Sequence, residues 1–433
     1  MNPQPAPAML LTPARLADGR LVDVVIDGGV ITDVRAAEAR SAVRPSDGAM
    51  PVPVALDLAG MMLLPAPAEP HAHLDKALVA NRVSNPAEDL AGAIDAIIQA
   101  YATMTDDDLT TRSLNAIATA VARGFTAIRT HLDCRVGIGS RSVRRLAEIK
   151  HEVRDLVDIQ IVALAGHVTD PDGADNRLLL LESLAAGADL VGGTPSLEPR
   201  PTAAVAELVA IAADHGVGMD LHVDETIDST ATALRTLAER VTATGFPYPV
   251  TASHCVSLGM QDPDEQRRTA EAVAAAGISV VTLPQTNLYL QAREWECAKP
   301  RGLTAIGALR AAGVTVAGGS DNWRDPFNPM GRIDPMETAS LLVTAGHLLV
   351  SDAYDAVSAG SRAVLGLPEV RVAPGYPADL LAIRGVSLAD AIADASEQRI
   401  VIRAGRVVAD TRVTRDVDPR DHVALRRATA SVR

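Results

Sequence analysis

The chain has 433 residues, enough for one large domain and a smaller companion. Apolar residues make up 48% of it but aromatics only 2%, so the core has to be built from Ala, Val, Leu and Ile. A net charge of −14 argues against a nucleic-acid partner, and no apolar run approaches the ~20 residues of a membrane span.

Met1 to Ala8 lacks a basic segment followed by an apolar one, so no secretion signal is expected. The three cysteines, Cys134, Cys255 and Cys297, are widely spaced and suggest neither a disulfide framework nor a CxxC metal site. A cytoplasmic protein is the expectation.

From Met9 to Leu58 the sequence reads as short strands, with Asp27-Gly28-Gly29 as a hairpin turn between two β-branched runs and a loop from Ser41 to Pro53. Strand-like pieces recur at Ala378–Ile383 and Arg399–Arg403, and Ala404-Gly405-Arg406 turns into Val407-Val408-Ala409. Two β-rich ends flanking a long middle predict one small composite β-sandwich from residues 1–60 and 372–433. The charged tail from Arg412 onward reads as a packing helix or a subunit contact, and a homo-oligomer is compatible with it.

Between the ends, strands and helices alternate. Strand candidates are Met61–Leu64, Thr126–His131, Val157–Leu164, Leu190–Gly193, Gly218–His222, Pro249–Ser253, Ser279–Leu283 and Thr315–Gly318. Helical patterns such as Leu109–Arg123, Ala203–His215 and Asp264–Ala275 lie between them. The alternation predicts an α/β fold, a (β/α)8 TIM barrel over residues 61–371 with an extra helical excursion after the first strand. An open doubly wound sheet is the runner-up, but no Gly-x-Gly-x-x-Gly turn follows any strand.

Barrel chemistry sits at the C-terminal strand ends. There the sequence carries His71 and His73, His131 and Asp133, His167, His222 and Glu225, His254, and Asp321. Six of the ten histidines fall in these short windows. His71 and His73 point the same way because strand side chains alternate with period two. With His222 and Asp321 they would give one divalent ion three neutral nitrogens and a carboxylate, a set that Zn²⁺, Fe²⁺ and Mn²⁺ all tolerate. Such an ion lowers the pKa of bound water from ~16 towards ~7.

Glu225, three residues past His222, is placed to shuttle a proton; Asp321 can share that role, and His254 can orient the attacking oxygen and stabilise charge. Asp75, Lys76 and His131 fit supporting positions around the ligands, although a solvated loop pair and a satisfied buried histidine explain them as well. His151, His347 and His422 read as surface or packing residues, and His215 as a C-terminal helix cap.

These residues resemble the metal-dependent amidohydrolase superfamily, and within it the bacterial cytosine deaminase branch. The resemblance rests on Glu-Pro-His-Ala-His-Leu-Asp-Lys (69–76), Arg-Thr-His-Leu-Asp (129–133), Leu-His-Val-Asp-Glu (221–225), Thr-Ala-Ser-His (251–254), Pro-Gln-Thr-Asn-Leu-Tyr-Leu-Gln (284–291) and Gly-Ser-Asp-Asn-Trp-Arg-Asp-Pro-Phe (319–327), spread along nearly the whole barrel. It implies one metal ion per subunit, Zn²⁺ or Fe²⁺, on His71, His73, His222 and Asp321, with Glu225 as proton shuttle, His254 as polarising residue and no carbamylated lysine.

The departures concern the substrate. Gly166 stands where that branch carries a glutamine that reads the pyrimidine edge, Asn322 follows Asp321 in place of an aspartate, and Phe327 replaces a tryptophan. Losing a polar reader costs orders of magnitude in discrimination, so cytosine itself is not expected. Gly166, His167, Asn322, Trp323 and Phe327 are the candidate substrate-binding residues, the two aromatics by stacking on a planar ring or merely by packing the loop. The resemblance implies a hydrolytic deaminase of an amino-substituted nitrogen heterocycle. The alternatives are an amidohydrolase of a cyclic amide or N-substituted, aminotriazine-like ring, and a non-catalytic metal- or ligand-binding barrel.

Overall fold

The computed structural model describes residues 8–37, 54–169 and 173–416. The Ser41–Pro53 loop, His422 and nearly all of the charged tail lie outside the described residues. Among the described residues no helix is long and apolar enough to cross a membrane.

Chain ends and middle form separate sheets. The first contains β1 (Met9–Arg15), β2 (Leu21–Asp27), β3 (Val30–Ala36), β4 (Val54–Asp57) and β5 (Met61–Pro65). Asp27 pairs with Val30, so Gly28 and Gly29 alone make the turn. Their φ values of +57° and +82° require residues without a Cβ penalty.

The second sheet is the barrel: β6 (Ala68–Ala72), β7 (Ala127–Cys134), β8 (Asp158–Ala165), β9 (Leu190–Gly192), β10 (Gly218–Val223), β11 (Val250–His254), β12 (Ser279–Thr282) and β13 (Val316–Gly318), paired in parallel in chain order with helices between them. The chain then returns to the first sheet through β14 (Leu380–Arg384), β15 (Arg399–Arg403) and β16 (Arg406–Thr411).

One strand is not where the pattern puts it. Met61–Pro65 belongs to the terminal sheet, antiparallel to β14 with Met61 opposite Arg384 and Leu64 opposite Leu381, and the barrel starts at β6. Met61 and Leu63 face the core of the terminal sheet, while Met62 and Leu64 face a core shared with the last helices. A strand buried on both faces reads as continuously apolar, like a parallel barrel strand, which is why periodicity misassigns it.

The barrel closes between β13 and β6 through a single bridge, Ala72 to Asp321, in which the Asp321 N–H donates to the His71 carbonyl at 2.9 Å. The buried Glu69 carboxylate stitches the same seam, accepting from the His71 N–H (3.1 Å), the Ser320 N–H (3.1 Å) and the Ser320 hydroxyl. Burial pushes its carboxyl up to about 8.

After β6 comes the helical excursion: the helix Leu90–Ala100, N-capped by Asp89 through the Gly92 N–H, then the helix Asp106–Arg123 with Thr105 as cap, three aspartates in its first turn and Gly124 as left-handed stop. His215 does cap its helix, with Nδ1 2.9 Å from the Ile211 carbonyl.

Candidate metal centre

His71 is the penultimate residue of β6 and His73 lies just beyond that strand; His222 is the penultimate residue of β10, His254 ends β11, and Asp321 lies just beyond β13. All five are buried. The Nε2 atoms of His71 and His222 are 3.2 Å apart and those of His222 and His73 3.3 Å, while Asp321 Oδ1 is 3.2 Å from His73 Nε2 and 3.6 Å from His71 Nε2. Asp321 and His254 adopt left-handed backbone (φ +66° and +72°), a cost that structures retain at functional sites. At His254 it has a purpose. Alternation would send Ser253 and His254 to opposite faces, yet Ser253 Oγ reaches His71 and the His254 ring lies 5.0 Å from that of His222.

The donor set fits a cation. His73 Nδ1 lies 3.1 Å from the His131 carbonyl, which can only accept, and 3.3 Å from the Lys76 ammonium, which can only donate; the shorter contact favours a proton on Nδ1 and a lone pair on Nε2. Ser253 Oγ donates to Asp220 (2.8 Å) and therefore accepts from His71 Nδ1–H (2.9 Å), which leaves a lone pair on His71 Nε2 as well. Burial, followed by the neighbouring cationic groups, holds His71, His73 and His222 well below the usual imidazole range. Neutral lone pairs thus converge, and both Asp321 oxygens and His254 Nε2 are buried without a hydrogen-bond partner. Such atoms are costly without a shared positive charge.

His131 is part of the same cluster. Its ring stacks on that of His71 at 3.8 Å, and His71, His131 and His222 form a second trio close enough to share an ion. Its Nε2 faces Asp220 Oδ2 at 3.6 Å.

Beneath the histidines lies a polar layer whose roles were not read from the sequence. Asp220, two residues before His222 and hence on the same strand face, receives Arg129 Nη1 at 2.8 Å besides the Ser253 hydroxyl. Arg129 is also held by Gln160 and the Val364 carbonyl. Burial opposes the Asp220 charge, but His131 and Arg129 hold its carboxyl low, so it is an acceptor that fixes the His71 tautomer through Ser253. The available signal was period-two alternation within the Arg129–Asp133 and Asp220–His222 windows.

On the other side of His73, the Lys76 ammonium bridges Asp75 (3.1 Å) and Asp133 (3.0 Å), and Tyr101 donates to Asp133 at 2.5 Å. Burial alone would lower the Lys76 pKa, but the two carboxylates raise it above its ordinary value. Lys76 and Asp75 are therefore a buried ion pair rather than a solvated one.

Glu225 stands above this floor, its Oε1 3.5 Å from His254 Nδ1. Burial and then the Asp321 charge push its carboxyl well above the usual range. His254 Nδ1 also lies 3.0 Å from Asn287 Oδ1, which leaves Nε2 as the lone pair on the cavity side.

A cavity of about 390 Å³ opens over these groups. Leu90, Ile94, Ile97 and Ile98 of the helix after β6 wall it, with Leu164, Leu197 and Phe327. Gly166, His167, Asn322 and Phe327 reach its lining as expected. Trp323 does not. It is fully buried in the barrel core and donates from Nε1 to Ser320 Oγ at 2.6 Å, so it packs the seam and is not placed to stack on a ring. Asn322 is partly committed, donating to Asp325 and accepting from Thr286. A Cβ at Gly166 would stand 2.8 Å from Asn176 Nδ2 and 2.9 Å from Arg135 Cβ, so a glutamine there would need both neighbours to move.

Comparison with known proteins agrees with this geometry. An amidohydrolase family model matches residues 87–409. The chain is 34% identical to the pterin deaminase of Rhizobium rhizogenes over 395 residues, 89% of this chain and 87% of that one. Among solved structures it is similar to 5-methylcytosine deaminase from Klebsiella pneumoniae liganded with 5-fluorocytosine (TM-score 0.82, 28% identity, 95% and 100% of the two chains). It is also similar to N-isopropylammelide isopropylaminohydrolase from Burkholderia multivorans (TM-score 0.78, 29% identity, 93% and 98%).

Proposed function

The chain belongs to the amidohydrolase family, and from that premise we propose that it is a metal-dependent hydrolytic deaminase of an amino-substituted nitrogen heterocycle other than cytosine. Water adds at the ring carbon that bears the amino group, ammonia leaves, and the carbon becomes a carbonyl. The observation that carries this reading is the buried Glu225 carboxyl facing an apolar, ring-sized cavity directly above converging lone pairs.

His71, His73, His222 and Asp321 would hold the divalent ion, Zn²⁺ or Fe²⁺, whose Lewis acidity brings the acidity of water to near-neutral pH. Glu225 takes a proton from the attacking water and passes it to the ring nitrogen, then takes the hydroxyl proton of the adduct and passes it to the departing amine as the carbonyl forms. His254 Nε2 accepts from and orients the water, with Asn287 fixing the ring by taking its Nδ1–H. The apolar wall excludes bulk water and packs against the ring faces. Gly166 supports the exclusion of cytosine, because the polar reader of the cytosine branch has no room there. We place the protein in the cytoplasm.

The test is ammonia release from aminopyrimidines, pterins, aminotriazines and creatinine-like rings. Ammonia from at least one ring other than cytosine is expected. Similarity to an isopropylaminohydrolase motivates the second reading, in which the same site expels an alkylamine. Amine or ring-opened products without ammonia would sink the deaminase reading.

A further inference from the structure

The cavity above the metal centre is lined by a cation, Arg135, that donates no side-chain hydrogen bond among the described residues, although its charge bears on Asp133. His131, Asp133 and Arg135 follow one another at every second position along and just beyond β7, so they share a face and climb from floor to mouth. At ~3.3 Å per residue the climb from His131 to Arg135 is about 13 Å along the strand.

His131 stacks on His71. Asp133 is engaged by Tyr101 and Lys76. Arg135 lines the cavity, yet among the described residues its guanidinium makes no hydrogen bond and has no carboxylate oxygen within 4 Å. The other cation on the lining, Lys76, is held directly between Asp75 and Asp133. Gly166 keeps the stem of Arg135 clear, since a Cβ there would stand 2.9 Å from Arg135 Cβ. A partly buried guanidinium with five donors and no acceptor is a ready site for a planar anion, which it can hold with two parallel bonds.

Position along the cavity also gives a direction. Glu225 and Asp321 lie at the floor and Arg135 at the mouth. Asp95 is an exposed rim residue of the helix Leu90–Ala100 and does not pair with Arg135. A ring with an acidic group on one edge therefore enters with that edge toward Arg135 and the opposite edge toward Glu225.

We propose that Arg135 binds a carboxylate carried on the edge of the heterocycle remote from the carbon that loses its amino group, which makes acidic amino-heterocycles the preferred substrate class. The inference rests on the deaminase reading above. It applies to rings long enough to bridge floor and mouth, such as a fused bicycle or a monocycle with an extended substituent.

The test uses metal-loaded Glu225→Gln protein, which is expected to hold a ring without converting it, and compares its affinity by calorimetry for pterin and for pterin carrying a ring carboxylate. The carboxylated member should bind at least tenfold tighter. Adding Arg135→Gln should erase most of that advantage through the dissociation constant of the acid, and Arg135→Lys should restore part of it. Equal affinity for the two members, or a preference that Arg135→Gln leaves within threefold, overturns the proposal. Ammonia release by the metal-loaded parent protein tests the deaminase reading separately, so the two can fail independently.

Discussion

At the floor of the barrel a chain of buried groups braces the proposed metal centre from behind. His71 leans on Ser253, Ser253 on Asp220 and Asp220 on Arg129, while Asp321 is anchored by the backbone bond that closes the barrel. At the mouth, Leu90, Ile94, Ile97 and Ile98 come from one helix in an excursion between strands, Phe327 from a loop, and Arg135 donates no side-chain hydrogen bond among the described residues. The floor is over-determined and suits chemistry that needs fixed atoms. The mouth offers shape and a guanidinium with open donors among the described residues, which suits selection among rings. Within one barrel the demands of reaction and recognition are thus met by different structural means.

The contrast can be broken most severely at the floor. His71→Ala removes a nitrogen from the centre, and metal content and turnover should fall together to background, as read by elemental analysis and ammonia release. Turnover surviving in metal-depleted protein would contradict the ligand assignment. Ser253→Ala leaves every proposed ligand in place but frees the His71 ring, so metal affinity should drop ~10–100-fold while the fold is retained, since losing a group that orients a ligand has that cost. An unchanged affinity in a chelator competition would show that the Arg129–Asp220–Ser253 chain supports only the barrel.

The two loop aromatics sharpen the boundary between the regions. Trp323→Ala should destabilise the protein by ~3–5 kcal/mol in denaturant unfolding, as for other buried aromatics. Phe327→Ala should act mainly on KM for the ring. Reversed effects would place Trp323 in the binding site after all.

The smallest expected effect is electrostatic. Burial, opposed by the Asn322 hydrogen bond, pushes the Asp325 carboxyl up to about 7. A folded-state value above the unfolded one favours the native state fully below ~4 and withdraws that advantage as pH rises towards 7. The Tm of Asp325→Asn minus that of the parent should therefore climb between about pH 4 and 7 and level off above. A pH-independent difference would mean that Asp325 titrates normally.

Much of the floor was legible because strand alternation and strand-end position are local properties. His71, His73, His222, Glu225, His254 and Asp321 were singled out from spacing, and the fold brings them together. What spacing does not encode is pairing across the barrel. The Ser253–Asp220 bond joins adjacent strands 33 residues apart and the Arg129–Asp220 pair spans 91, so these side chains passed as ordinary strand residues. Met61–Pro65 was assigned to the wrong sheet because burial on both faces erases alternation. Trp323 misled for the opposite reason: a large aromatic in a strand-end loop looks like a binding residue until its burial and its bond to Ser320 are known. Arg135 stood in plain view, but its interest lies in its place on the cavity lining, and that requires coordinates.

The central claim, that a metal centre and a buried carboxyl together deaminate a ring, is tested most directly by measuring metal content and ammonia release side by side in the parent and in Glu225→Gln. The account predicts one divalent ion per chain in both proteins and a loss of turnover of about 10²–10⁴-fold in the variant, the usual contribution of a positioned acid–base group. A Glu225→Gln protein that keeps its metal and turns over like the parent would contradict it.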